Sequence, residues 1–253
     1  MSHLGNWLWN GLRALPDLLY VPKCAFCATR MPPGSKTPLC PICRTRYEDE
    51  KEATCPACGG RMSDCLCTPP DLPSCGVHRM VKLFRYLPAS DEVSAQMIYH
   101  LKHKNLITLQ RFLADELAKP LSGLVEQPEE WVITYPPRSV SAKRRDGFDH
   151  AAALAKALAK GLGCAYLPTL VREGHAGIEQ KRLSRTARLT AAKENYTVRQ
   201  GLFLGGKRVV LVDDVMTTGA TLVASARLLR KAGAKEVVFA VLALTPSKKS
   251  YRE

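Results

Sequence analysis

VVLVDDVMTTGAT, residues 209–221, sets the frame for the rest of the chain. Four apolar residues in a row, Val209 to Val212, suit a strand buried on both faces, as in a parallel sheet. Two carboxylates follow, Asp213 and Asp214, then Thr217-Thr218-Gly219, then a helical pattern through Leu222, Ala226 and Leu229. A short loop between strand end and helix start leaves backbone N–H groups unpaired at the positive end of a helix dipole, which is an anion site. Gly219 lets the backbone approach a ligand closely, and Thr217, Thr218 and Thr221 add hydroxyls. Two acids beside this loop would repel a simple phosphate. They suit a ligand that also brings neutral hydroxyls or a divalent cation, as a phosphorylated sugar with a free diol does. The competing reading is an ordinary strand-to-helix turn in a doubly wound sheet.

Outward from this stretch, 253 residues suffice for one full domain and a small one. Apolar content of 46% and charged content of 24% are those of a soluble globular protein. No apolar run reaches the roughly 18 residues of a membrane span, so a cytoplasmic location is expected, with any membrane association made through partners. The net charge of +14 is unevenly placed: residues 138–208 hold 15 basic and 5 acidic side chains, beside the anion loop. That excess suits a polyanionic ligand, and it suits nucleic acid equally well. Leu4, Leu8, Leu12, Leu15 and Leu19 recur at helical spacing, so residues 1–22 read as a short amphipathic helix that packs on its own domain or docks elsewhere.

Ten cysteines without a secretory signal point to metal rather than disulfides. Cys24-x2-Cys27 and Cys40-x2-Cys43 have the spacing of a zinc ribbon, in which each pair aims two sulfurs at one point and four thiolates close a tetrahedron. A second set, Cys55, Cys58, Cys65 and Cys67, ends in CxC, and Cys75 can replace one of its last two members. Four thiolates leave no open position for water, so two structural Zn2+ sites are expected, without which a module this small lacks a sufficient core. Redox chemistry at the CxxC pairs is the rival reading, disfavoured because the pairs come in sets.

The remaining pattern is that of an α/β domain. Val77–Tyr86 alternates and reads as a strand, Ser90 can cap a helix opening at Asp91-Glu92, and a second helix spans about 106–117. His100 and His103, around Lys102, read as surface residues. Pro120–Glu130 reads as a loop. Trp131–Tyr135 is a short strand ending in Pro136-Pro137-Arg138, and after Lys143, Arg144 and Arg145 an alanine-rich helix covers 149–161. This places a second anion site at the same edge of the sheet. Cys164–Val171 reads as one strand, and Val237–Leu244 as the last buried one. Residues 173–200 are long, basic and without strand pattern; Lys181, Arg182, Arg185 and Arg188 could carry charge to a bound anion. Gly201-LFLG-Gly206-Lys207 imitates a phosphate loop, but Arg208 follows where Ser or Thr is required, and the stretch precedes its strand.

VVLVDDVMTTGAT is similar to the phosphoribosyl pyrophosphate (PRPP) signature of type I phosphoribosyltransferases. With the two cysteine sets, LFRY at 83–86, LKHKN at 101–105, RRDGFDHA at 144–151 and QKRLSRTARL at 180–189, the chain resembles the ComF family of competence-associated proteins. The resemblance implies a type I phosphoribosyltransferase-like, doubly wound parallel sheet (77–246), a small N-terminal double zinc ribbon (23–76) and a polar tail (247–253). By resemblance, Asp213 and Asp214 hold the ribose hydroxyls, Thr217, Thr218, Gly219, Ala220 and Thr221 hold the 5'-phosphate, and Mg2+ comes with PRPP. Pro137 and Arg138 meet pyrophosphate, and Lys181, Arg182 and Arg185 lie in a lid. Single-stranded DNA and the DNA-uptake machinery are the partners the resemblance implies. The chain departs from the family where it has TYPPRS at 134–139 instead of PVPLHP, and Gly147-Phe148-Asp149-His150 instead of GFNQ. Purine-specific relatives place an acid where this chain has Thr217, which argues against purine salvage. The alternatives are a PRPP sensor without turnover and a nucleic-acid-binding adaptor.

Overall fold

The computed structural model describes residues 21–55, 57–69, 72–87, 90–172 and 196–245. In chain order its elements are α1 (Pro41–Lys51), β1 (Met80–Arg85), α2 (Val93–His103), α3 (Ile107–Ser122), β2 (Trp131–Thr134), α4 (Val140–Asp146), α5 (His150–Leu162), β3 (Ala165–Tyr166), β4 (Leu170–Arg172), β5 (Tyr196–Val198), β6 (Arg208–Met216), α6 (Ala220–Lys231) and β7 (Glu236–Leu244). The N-terminal helix expected over 1–22, the basic residues at 181, 182, 185 and 188, and the tail from 247 lie outside the described residues, apart from Val21 and Pro22.

Strands order as β1-β7-β6-β2-β3 in one parallel sheet, with Val212 opposite Ala240 and Ile133 opposite Val210. The unbroken apolar runs of β6 and β7 require cover on both faces, and both receive it. Val210, Val212, Val238 and Ala240 pack beneath α2, α3 and α5, while Val209, Leu211, Val237, Phe239 and Val241 pack beneath α6. The chain leaves β2 for β3 on one side and leaves β6 for β7 on the other. The carboxyl ends of β2 and β6 therefore flank the topological switch point, where ligands of open α/β sheets bind.

The cysteine segment shares the main core. Tyr47 of α1 is fully buried, its ring 5.1 Å from that of Phe84 and 5.3 Å from that of Phe112. Two knuckle turns have the same backbone plan: Cys24 N donates to Thr29 O and Cys55 N to Gly60 O, and an antiparallel bridge closes each. Lys51 joins α1 to the buried Glu116 of α3 at 2.6 Å. The Lys51 and Lys119 ammonium groups overcome the effect of burial and hold the Glu116 carboxyl below its usual value.

Several elements differ from the sequence reading. β6 continues through Met216, so Asp213 and Asp214 lie within the strand rather than after it. β1 is shorter than expected and buried at every position before Arg85 instead of alternating, with β7 along one edge and the cysteine segment along the other. α2 starts at Val93 and Ser90 does not cap it; the Glu50 carboxylate of α1 accepts from Val93 N at 2.6 Å and Ser94 N at 2.8 Å. α3 runs past Pro120 to Ser122, a proline tolerated so near a helix end. The single strand expected over 164–171 divides at Pro168: β3 joins the main sheet, and β4 pairs antiparallel with β5, a strand that was not foreseen. The short helix α4 was also unforeseen.

Candidate functional site

At the carboxyl end of β6 the turn Thr217-Thr218-Gly219 feeds α6. Gly219 is the N-cap, with φ +72°, and no side chain caps the helix. The backbone hand calls for glycine, and a Cβ at this position would lie 2.5 Å from Met216 Cε and would have to displace that flexible side-chain end. Ala220 N donates to Thr218 Oγ1 at 3.4 Å. Thr217 is exposed, and Thr218 and Thr221 are half-buried. The uncapped helix end keeps donors and positive dipole for an anion.

The acidic pair is divided by its surroundings. Asp214 is buried, its Oδ2 lying 3.1 Å from His150 Nε2 and 3.2 Å from Lys102 Nζ. Burial alone would raise its carboxyl, but the His150 and Lys102 contacts prevail and hold it well below the usual range. Asp213 is half-exposed at the strand end, and its Oδ1 accepts from Asp214 N at 2.9 Å. Desolvation and the neighbouring Asp214 charge push its carboxyl well above the usual value. The structure thus turns Asp214 inward toward two bases and leaves Asp213 as the more accessible acid.

His150 and Lys102 were missed in the sequence reading. His150 opens α5 directly after its N-cap Asp149, which accepts from Ala152 N at 3.4 Å, and so lies at the switch point. Lys102 follows Leu101 on the edge of the apolar face of α2, where its side chain reaches the sheet. His100 and His103 flank it in sequence. Of these, His103 is exposed and its ring is 4.8 Å from that of Tyr99.

Beyond β2, Pro137 is buried and Arg138 begins the connection to α4. Arg138 Nη2 lies 2.7 Å from Asp146 Oδ2, and its backbone N donates to Asp149 Oδ2 at 3.2 Å. Its Nη1 is buried without a hydrogen-bond partner, a spare donor suited to an anion. Hydrogen bonds from Arg145 and Arg138 hold the Asp146 carboxyl down at about 2.

The cysteines form two tetrads. Sulfurs of Cys24, Cys27, Cys40 and Cys43 lie within 4.8 Å of one another, as do those of Cys55, Cys58, Cys65 and Cys67. Cys27 Sγ and Cys40 Sγ are 3.7 Å apart, close to the roughly 3.8 Å edge of a tetrahedron with zinc–sulfur bonds of about 2.3 Å. Both tetrads can hold zinc. Cys75 lies apart: its thiol donates to Leu72 O at 2.9 Å within the core beneath α6. Among the described residues no helix is long and apolar enough to cross a membrane.

A family model described as the phosphoribosyl transferase domain matches residues 145–253. The DNA utilization protein YhgH of Salmonella typhimurium (strain LT2) is 31% identical over 211 residues, 79% of this chain and 87% of that protein. Adenine phosphoribosyltransferase of Mycobacterium avium (strain 104) is 52% identical over 42 residues, 17% of this chain and 23% of its own. Among solved structures, the allosteric regulatory enzyme of purine biosynthesis aligns at 26% identity and a TM-score of 0.37, over 58% of this chain and 30% of that one.

Proposed function

Because the chain belongs to the ComF family, matching a DNA utilization protein over most of its length, we propose that it binds PRPP at the carboxyl ends of β6 and β2. The observation that carries this reading is an uncapped α6 N-terminus, entered through a left-handed Gly219, directly after the strand that bears Asp213 and Asp214. The amides and hydroxyls of 217–221 take the 5'-phosphate, and Asp213 takes the ribose diol. Asp214, engaged by Lys102 and His150, positions Asp213 and contributes to the diol only if that pairing loosens. Arg138, beside Pro137, takes the pyrophosphate end through its spare Nη1. Lys181, Arg182 and Arg185 are proposed for the lid.

Asp213 and Asp214, with His150, offer ligand atoms within 4.8 Å of one another, and carboxylate oxygens are the hard donors that Mg2+ takes. When bound with the sugar, Mg2+ shields negative charge on the departing pyrophosphate. Transfer of phosphoribose to an acceptor displaces pyrophosphate at C1 and builds positive charge at that carbon. The chain's own part is to hold the sugar in line, exclude water and keep Asp213 near the developing charge. The domain division at 23–76 and 77–246 belongs to the same proposal, with the ribbons as a structural attachment and DNA uptake as the biological setting.

Calorimetry with PRPP and Mg2+ tests the site: Asp213→Asn should weaken binding at least about tenfold, since it removes a charge-assisted contact. Unchanged affinity in that variant sinks the ribose contact. Pyrophosphate release across a panel of bases separates an enzyme from a PRPP sensor. A nucleic-acid adaptor is the second reading, favoured by the 15 basic against 5 acidic side chains of residues 138–208 and by the relative's name. It requires single-stranded DNA binding that weakens steeply with salt.

A further inference from the structure

A lysine from the central sheet faces the second tetrad. Lys82 is the third residue of β1 and is 2% exposed, so its ammonium has left water. Its Nζ lies 3.0 Å from Cys65 Sγ, and donates to the carbonyl of Cys67 at 2.9 Å and that of Cys65 at 3.4 Å. Among the described residues it pairs with no carboxylate. A buried cation without a counter-charge is one of the costlier arrangements in a protein interior. Carbonyls offer it dipoles but no charge. The sulfurs supply the rest: a thiol that ligates a metal is deprotonated, and four thiolates on a dication carry two net negative charges.

We propose that Lys82 is the counter-charge of a divalent metal complex on Cys55, Cys58, Cys65 and Cys67, positioning Cys65 and setting how firmly the metal is retained. The backbone supports the same docking, for Met80 N donates to Leu66 O at 3.0 Å, and Leu66 packs against the core beneath α2 and α3. All three residues 65–67 are thus held by β1. The first tetrad is served by neutral groups: Cys40 N donates to Cys24 Sγ at 3.4 Å, and the Thr29 hydroxyl lies 3.2 Å from Cys27 Sγ. Lys82 therefore makes the two sites unequal. Nothing in this depends on the PRPP reading.

The test uses the zinc-loaded full chain. Zinc transfer to a chromogenic chelator is followed for wild type and Lys82→Met, with maleimide alkylation of each cysteine mapped by mass spectrometry. In Lys82→Met, Cys55, Cys58, Cys65 and Cys67 should lose protection about 10–100-fold sooner, the usual effect of removing an outer-sphere partner. Cys24, Cys27, Cys40 and Cys43 should keep the wild-type rate. With cobalt in place of zinc, the variant's sulfur-to-metal charge-transfer band should move to lower energy, as sulfur gains electron density when a donor is lost. Equal protection of the second set, or an unmoved band, overturns the proposal. Should Lys82→Met not fold, wild type alone decides through amine acylation. Lys82 should react only as Cys65 becomes alkylable; acylation while Cys65 is still protected, or a blocked Lys82 after Cys65 has reacted, overturns it.

Discussion

Asp214 sits between His150 and Lys102, and this contact divides the titration of two neighbouring acids in opposite directions. The depressed Asp214 carboxyl stabilises the fold above its ordinary value of 3.8, and that contribution is lost as pH falls through the lower native value. Asp213 behaves in the opposite sense. Its raised native value means that the folded chain keeps a proton the unfolded chain has released, so its contribution falls as pH rises from 3.8 through the raised value. A ligand bringing hydroxyl donors and a cation to Asp213 favours the ionised form and releases that proton. Binding enthalpies measured in buffers of different ionisation heat should therefore differ at pH values below the raised value; identical enthalpies there count against a contact at Asp213. At Gly219, φ of +72° and the nearby Met216 Cε set the cost of a side chain. Gly219→Ala should cost about 1–2 kcal/mol in thermal unfolding from backbone hand alone and abolish PRPP binding in calorimetry, with zinc content unchanged. The acids, threonines and glycine of this turn were legible in sequence because strand, turn and helix are contiguous. His150 and Lys102 were not, since each reaches Asp214 from an element distant in the chain, and nothing local marks a lysine at the border of an apolar helix face as turned toward the sheet.

α2 shows why helix boundaries were less legible than strands. Its first amides are taken by Glu50, 43 residues upstream, so no capping residue adjoins it in sequence. The carboxylate also meets the positive end of the helix dipole. Glu50→Ala should lower stability by about 0.5–2 kcal/mol, the range for losing an N-cap, read from denaturant midpoints. Because α2 carries Lys102 at its other end, the same variant should also weaken PRPP binding while zinc content stays unchanged. β6 and β7 were legible because short, valine-rich apolar runs suit strands buried on both faces. The run from Cys164 to Val171 was misread because its apolar pattern crosses Pro168 unbroken, whereas the proline lacks the N–H needed to continue a ladder. β5 was missed for a related reason: three residues paired only with β4 leave no period to detect.

In the whole molecule the cysteine segment and the sheet are one piece of packing, with Tyr47 seated on Phe84 and Phe112. Cysteine spacing announced the two tetrads, but no spacing could announce that a lysine of the sheet would reach a sulfur of one of them. Chelating the metal should lower the thermal midpoint of the entire chain, because α1 contributes to the same core as α2 and α3; scanning calorimetry with and without chelator should show a single shifted transition, and an unchanged main transition would contradict a shared core. β1 is the terminal strand of the sheet, and Leu66 O accepts the outward amide of Met80. A chain that loses its CxC segment bares the flank of β1, MVKLFR, with backbone groups ready to pair with another copy. Metal loss should thus turn the sheet's most guarded border into a template for self-association, and sizing columns run with chelator should reveal it as larger species that grow with protein concentration.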